Sequence, residues 1–215
     1  MSRLQHRLLN GWTFFYLVAA LTLAAILIGL ATTGVATPEA SVGMIRLSVQ
    51  LASPWVFLAF IATPLTQLAP GDLASWTLRN RRYLGLSFAA GFGWQAVFIG
   101  VLLAQHNAYY WEELHNDLDL LLRMISYVFL FALTVTSFFP VRRNMRREHW
   151  RYLHLVGIWY FWAAIWVSYA GQAASAGART IDFVYTILGL LALSLRLAAY
   201  QKARSRHLAQ RSISP

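Results

Sequence analysis

From Asp119 to Ala173 the chain reads DLLLRMISYVFLFALTVTSFFP (119–140), VRRNMRREHWR (141–151) and YLHLVGIWYFWAAIWVSYAGQA (152–173). Two apolar stretches flank a turn that carries Arg142, Arg143, Arg146, Arg147 and Arg151. A helix needs about 20 apolar residues to cross roughly 30 Å of hydrocarbon, and both flanks reach that length. The segment is therefore predicted to be two membrane-spanning helices joined by an arginine-rich turn. Four further stretches meet the same measure: Trp12–Ala36, Leu47–Ala69, Tyr83–Gln105 and Ile181–Tyr200. Period-two alternation is absent from them, so a transmembrane barrel does not compete.

The connecting segments predict the orientation. One set holds Arg3 and Arg7; Arg79, Arg81 and Arg82; the turn at 142–151; and Lys202, Arg204, Arg206 and Arg211. The opposite set holds Arg46, Arg123 and Arg179 near helix ends, together with Glu39, Glu112, Glu113, Asp117 and Asp119. Basic loops stay in the cytoplasm, which places both termini there and agrees with an even number of spans. The expected architecture is an all-α bundle of six transmembrane helices forming one domain over residues 1–215. The N-terminal apolar run is longer than the roughly 7–15 residues of a signal-peptide core, so it is expected to remain as the first helix.

Composition agrees. Charged residues make up 12% of the chain and hydrophobic ones 58%; a soluble domain carries about 25% charged residues, and half that charge cannot cover a water-exposed surface. The net charge of +10 comes from 17 arginines and one lysine. They sit in short loops rather than on a soluble basic face, which argues against nucleic-acid binding. With no cysteine, disulfides, thiolate metal sites and iron–sulfur clusters are excluded, and a redox cofactor would need histidine, methionine or another non-thiol ligand.

Few ionisable side chains fall within the spans. Asp119 and Arg123, four residues apart, can pair on one helical face, or Arg123 can snorkel outward. Asp182 and Arg196 read as helix-end residues. Pro54 and Pro64 interrupt the second span, as kinks that neighbouring helices absorb. Ala89, Gly91 and Gly93 predict close backbone approach to another helix. The scarcity of buried charge argues against ion or proton transport. In the outer loop, Tyr109, Tyr110 and Trp111 suit the membrane interface. Beside them, Glu112, Glu113, His115 and Asp117 read as a metal site, a docking surface for a periplasmic partner (with Tyr109, Tyr110 and Trp111), or a solvated acidic face. Trp159, Tyr160, Phe161, Trp162 and Trp166 read either as a platform for a flat cofactor or as core and interface anchors.

Two stretches, in order, carry a resemblance. Arg81-Arg82-Tyr83-Leu84-Gly85-Leu86 opens the third span. Thr136-Ser137, the arginine turn and Trp150-Arg151-Tyr152-Leu153-His154-Leu155-Val156 follow. They resemble the ferric reductase-like transmembrane domains, and within them the haem-binding membrane subunits of bacterial methionine sulfoxide reductase systems, over about residues 45–175. The resemblance implies a multi-pass protein of the bacterial inner membrane that moves electrons from a flavin or quinone pool through b-type haem held by histidines of the third and fifth helices. This chain departs from that pattern. Gln95 stands where the family has its third-helix histidine, and no histidine occurs near Val167, where the second one of the fifth helix is due. His154 alone stays in register. The resemblance thus implies at most one haem b near the cytoplasmic face, with His154 as a candidate iron ligand, Arg81 and Arg82 as propionate partners and Gln95 as a further cofactor contact. Alternatively, the chain is a haem-free accessory or scaffold subunit of a larger membrane complex.

Overall fold

The computed structural model describes residues 7–211; Arg3, one of the arginines assigned to the inner side, lies outside them. Six long helices form one bundle: α1 (Gly11–Thr32), α2 (Pro38–Leu68), α3 (Asp72–Gln105), α4 (Asp117–Ser137), α5 (Arg147–Ala173) and α6 (Thr180–Arg211). All six contain a stretch long and apolar enough to cross a membrane, and no strand occurs among the described residues. The protein is thus an all-α polytopic membrane protein.

The helices extend beyond their apolar cores. α2 begins at Pro38 rather than near Leu47, and α3 at Asp72 rather than near Tyr83. Hydrocarbon thickness limits only the apolar part of a helix; beyond it, caps decide. Thr37 accepts from the Ala40 amide, and Pro38 takes the first helical position, where its missing N–H costs nothing. α1 ends four residues earlier than expected, at Thr32, before Gly34 turns the chain at φ 70°. α4 stops at Ser137, and Pro140 starts a separate short turn, Phe139–Arg143.

α2 and α3 form the spine. Residues of both enter all three core clusters, from Met44 and Phe98 at one end to Trp76 and Ala59 at the other. Their close approach rests on Gly91, where an added Cβ would lie 3.0 Å from the Cβ of Ala52 and 3.1 Å from its Cα. Gly93 has nothing within 4 Å of such a Cβ, so Gly91, and not the 89–93 pair, makes the contact. Asn80 of α3, fully buried, accepts from the Gly11 amide (2.9 Å), and Trp76 Nε1 donates to the Leu9 carbonyl (2.7 Å), tying down the start of α1.

α4 is built opposite to a helix of a soluble protein. Its buried residues are Ser126 and Thr136, while Val128 and Phe131 are 67% and 72% exposed. In water such an apolar face would seek cover; in a bilayer it faces lipid and the hydroxyls turn inward. The inward groups fasten α4. Ser126 Oγ meets Tyr160 Oη of α5 at 2.9 Å, and Tyr160 Oη donates to the Leu122 carbonyl at 2.6 Å. Interhelical hydrogen bonds of this kind replace hydrophobic attraction, which vanishes against lipid.

α6 packs on α2 and α5. Pro54 and Pro64 remove the amides that would bond the carbonyls of Gln50 and Phe60, four residues earlier. α2 nevertheless runs through both without a break. Tyr185 Oη donates to the Gln50 carbonyl at 2.8 Å, and Arg196 Nη1 donates to the Phe60 carbonyl at 3.0 Å. The neighbour that absorbs both prolines is α6.

Candidate functional site

Five helices converge on a cavity at the arginine-rich end. α2 contributes the region from Val56 to Gln67, α3 contributes Arg81 to Ala89, and α4 contributes Leu130 to Ser137. The turn and the start of α5 supply Arg142 to Phe161, and α6 supplies Arg196 to Ala203. The cavity volume is about 1270 Å³. Its floor is apolar, with Val56, Phe88, Leu130, Leu133 and Phe161. Its wall carries Arg81, Arg82, Arg142, Arg147, Arg151 and Arg196 against a single carboxylate, Glu148.

None of the six arginines makes an ion pair among the described residues; the two pairs found there are His115–Asp117 and Arg179–Asp182, elsewhere in the chain. Four of the guanidinium groups lean on neutral partners instead. Arg196 lies over Phe60 (4.3 Å) and Trp159 (4.8 Å), and Arg142 over Trp150 (4.4 Å). Arg82 sits among Trp12, Tyr83 and Phe138 at 5.3–5.9 Å, and its buried Nε has no hydrogen-bond partner among the described residues. Arg81 reaches the Thr63 hydroxyl, at 3.4 Å. Cation–π contacts hold a guanidinium in place but leave its charge uncancelled.

His154 lines this cavity, half-buried, with its ring 4.5 Å from that of Trp150. Its Nε2 lies 3.1 Å from Thr136 Oγ1, whose own hydrogen points to the Ala132 carbonyl at 2.6 Å. The hydroxyl is therefore the acceptor and the imidazole Nε2–H the donor. Trp150 Nε1 donates to the Thr136 carbonyl (3.2 Å). His154 and Trp150 together clip α5 to α4. Gln95, fourteen residues after Arg81 and so about 21 Å farther along α3, is outside the cavity lining and accepts from Tyr127 Oη of α4 at 3.4 Å. The structure thus gathers His154, Arg81 and Arg82 and sets Gln95 apart.

Haem b is the cofactor the resemblance implies, and the cavity can be tested against it. The arginine wall suits carboxylates and the floor suits a macrocycle. The iron is not provided for: His154 is the one imidazole in the lining, its Nε2–H is committed to Thr136, and no methionine or second histidine lies among the lining residues. Val167 is 59% exposed. The residues present do not fit a two-ligand b-type haem.

Arg196 escaped the sequence reading, which placed it among helix-end residues. The signal was available: apart from Asp182 at its start, the last span carries no other charge, and two prolines elsewhere leave carbonyls in need of donors. Phe161 and Trp162 of α5 lie in the core, and Trp159, Tyr160 and Trp166 pack against it. Trp162 stacks on Phe60 (5.3 Å) and Trp166 (5.7 Å), and its Nε1 donates to the Gly189 carbonyl.

In the loop between α3 and α4, Tyr110 is 4% exposed and packs against Trp111 and His115. It supports the loop and does not offer surface, contrary to the docking expectation. Tyr109 is half-buried, while Trp111, Glu112 and Glu113 are exposed. His115 bonds Asp117 (3.0 Å), and no group of three or more potential metal ligands gathers among the described residues.

No protein-family model, curated protein or solved structure matches the chain.

Proposed function

We propose that this chain is a haem-free accessory subunit of a larger membrane complex, keeping a ferric reductase-like helix order without its redox centre. We place it in the bacterial inner membrane with both termini in the cytoplasm, on the strength of the arginine distribution. One observation carries the reading. Of the three positions where the family would hold iron, 167 is valine, and 95 and 154 are spent on fastening α4, Gln95 through Tyr127 and His154 through Thr136. Fold does not confer activity; the site does. Partners would meet the lipid-facing helices or the exposed Trp111, Glu112 and Glu113.

A second reading is an electron-transfer subunit of an oxidoreductase with one haem b, fed by a quinol or flavin donor. It is favoured by the presence of His154 and unpaired Arg81 in one cavity, and it requires the imidazole to leave Thr136. The visible spectrum of the purified protein separates the two. The first predicts no reduced-minus-oxidised haem band and co-purifying membrane proteins in mild detergent. A stoichiometric haem b band that disappears in His154→Ala overturns it in favour of the second.

A further inference from the structure

We infer that the arginine-walled cavity holds the phosphate group of an anionic phospholipid, with the acyl chains on its apolar floor. The inference rests on the haem-free reading, since a macrocycle and a lipid would claim the same space.

Six arginines face one carboxylate, and none has a counter-charge among the described residues. Uncompensated cations among packed helices are costly, and arginine forks pair with phosphate oxygens two at a time. Arg81, Arg82 and Arg196 are partly buried and deep; Arg142, Arg147 and Arg151 are exposed at the rim. The charge therefore follows a path from the membrane face inward and is not confined to a solvated loop. α5 adds to it, because its N-terminus at Arg147 has no side-chain cap and presents free amides at the rim.

Size and floor then choose between anions. A free phosphate would fill a small part of 1270 Å³ and would gain nothing from Val56, Leu130, Leu133 or Phe161. A diester carrying hydrocarbon uses both halves. Basic pockets between transmembrane helices on the cytoplasmic side recognise acidic headgroups for this reason.

The test uses the full chain, purified in neutral detergent and first shown to be colourless, so that a haem band would sink the haem-free reading separately. The thermal unfolding midpoint is followed by tryptophan emission while phosphatidylglycerol, phosphatidylcholine or inorganic phosphate is added. A ligand that binds only the folded state raises the midpoint in a saturable way. Phosphatidylglycerol should do so, and the other two should not. In Arg81→Gln combined with Arg147→Gln and Arg151→Gln, the concentration for half-maximal effect should rise at least tenfold, while Arg143→Gln, outside the lining, should leave it unchanged. If the triple variant does not fold, Arg147→Gln and Arg151→Gln singly, both at exposed rim positions, carry the comparison, each with at least a threefold rise. Equal response to phosphatidylcholine, equal response to inorganic phosphate, or variants that respond like the native protein would each overturn the assignment.

Discussion

Arg196 Nη1 donates to the carbonyl of Phe60 at 3.0 Å, and that carbonyl is open because residue 64 is proline. A helix defect and its repair thus lie on different helices. The repair predicts coupling. Arg196→Met should cost about 1.5–3 kcal/mol in the native background, the worth of one hydrogen bond from a charged donor. In Pro64→Ala, where an amide returns to Phe60, the same substitution should cost measurably less. A double-mutant cycle of detergent denaturation reads this directly; additive costs would show that the two sites do not communicate.

The Tyr185–Gln50 pair offers a milder version of the same experiment. Tyr185→Phe removes only the hydroxyl that serves the carbonyl left open by Pro54. A loss of about 0.6 kcal/mol is expected, the average that double-mutant cycles give for hydrogen bonds between transmembrane helices, with unchanged helicity by circular dichroism.

His154 and Thr136 should behave as one unit. If the imidazole serves to hold α5 on α4, His154→Ala and Thr136→Val will each lower the unfolding midpoint, and the double variant will be little worse than either alone. A full additive loss would mean that His154 spends its bond elsewhere.

Two glycines of α3 should part company. Gly91→Leu drives a side chain into the backbone of Ala52, for a cost of about 1–3 kcal/mol, whereas Gly93→Leu meets open space and should stay within about 0.5 kcal/mol. Sequence spacing treats these glycines alike; the measured stabilities should not.

The orientation can be read by chemistry, because the chain has no cysteine. Single variants Asn144→Cys, in the arginine turn, and Ser175→Cys, between α5 and α6, provide unique thiols. A membrane-impermeant maleimide applied to intact cells should label the second and spare the first. Reversed labelling would invert the topology.

The six spans were legible because the bilayer imposes a length on any apolar helix, and little in the sequence competes with that signal. Helix ends were less legible: Thr37 and Pro38 start α2 nine residues before the apolar run at Leu47, where hydropathy says nothing. At the cavity, Arg81, Arg82 and His154 stood out as polar groups at span ends. Arg196 did not, since its partner is a main-chain carbonyl whose need is written at residue 64, on another helix. Gln95 was placed by analogy with the third-helix histidine, and that analogy contains no information about Tyr127. Tyr110 looked like surface because interface belts are rich in tyrosine, yet in the five-residue π-helical turn Tyr110–Leu114 its ring is buried and meets Trp111 edge-on.

The carbonyls of Gln50 and Phe60 find their donors 135 and 136 residues downstream. During synthesis, α2 must therefore enter the membrane with two acceptors open and wait for the last helix to arrive. A chain released before residue 196 leaves at least one of them stranded in oil. The C-terminal helix is thus the closing member of the assembly, and premature termination there would yield a product that inserts but does not mature.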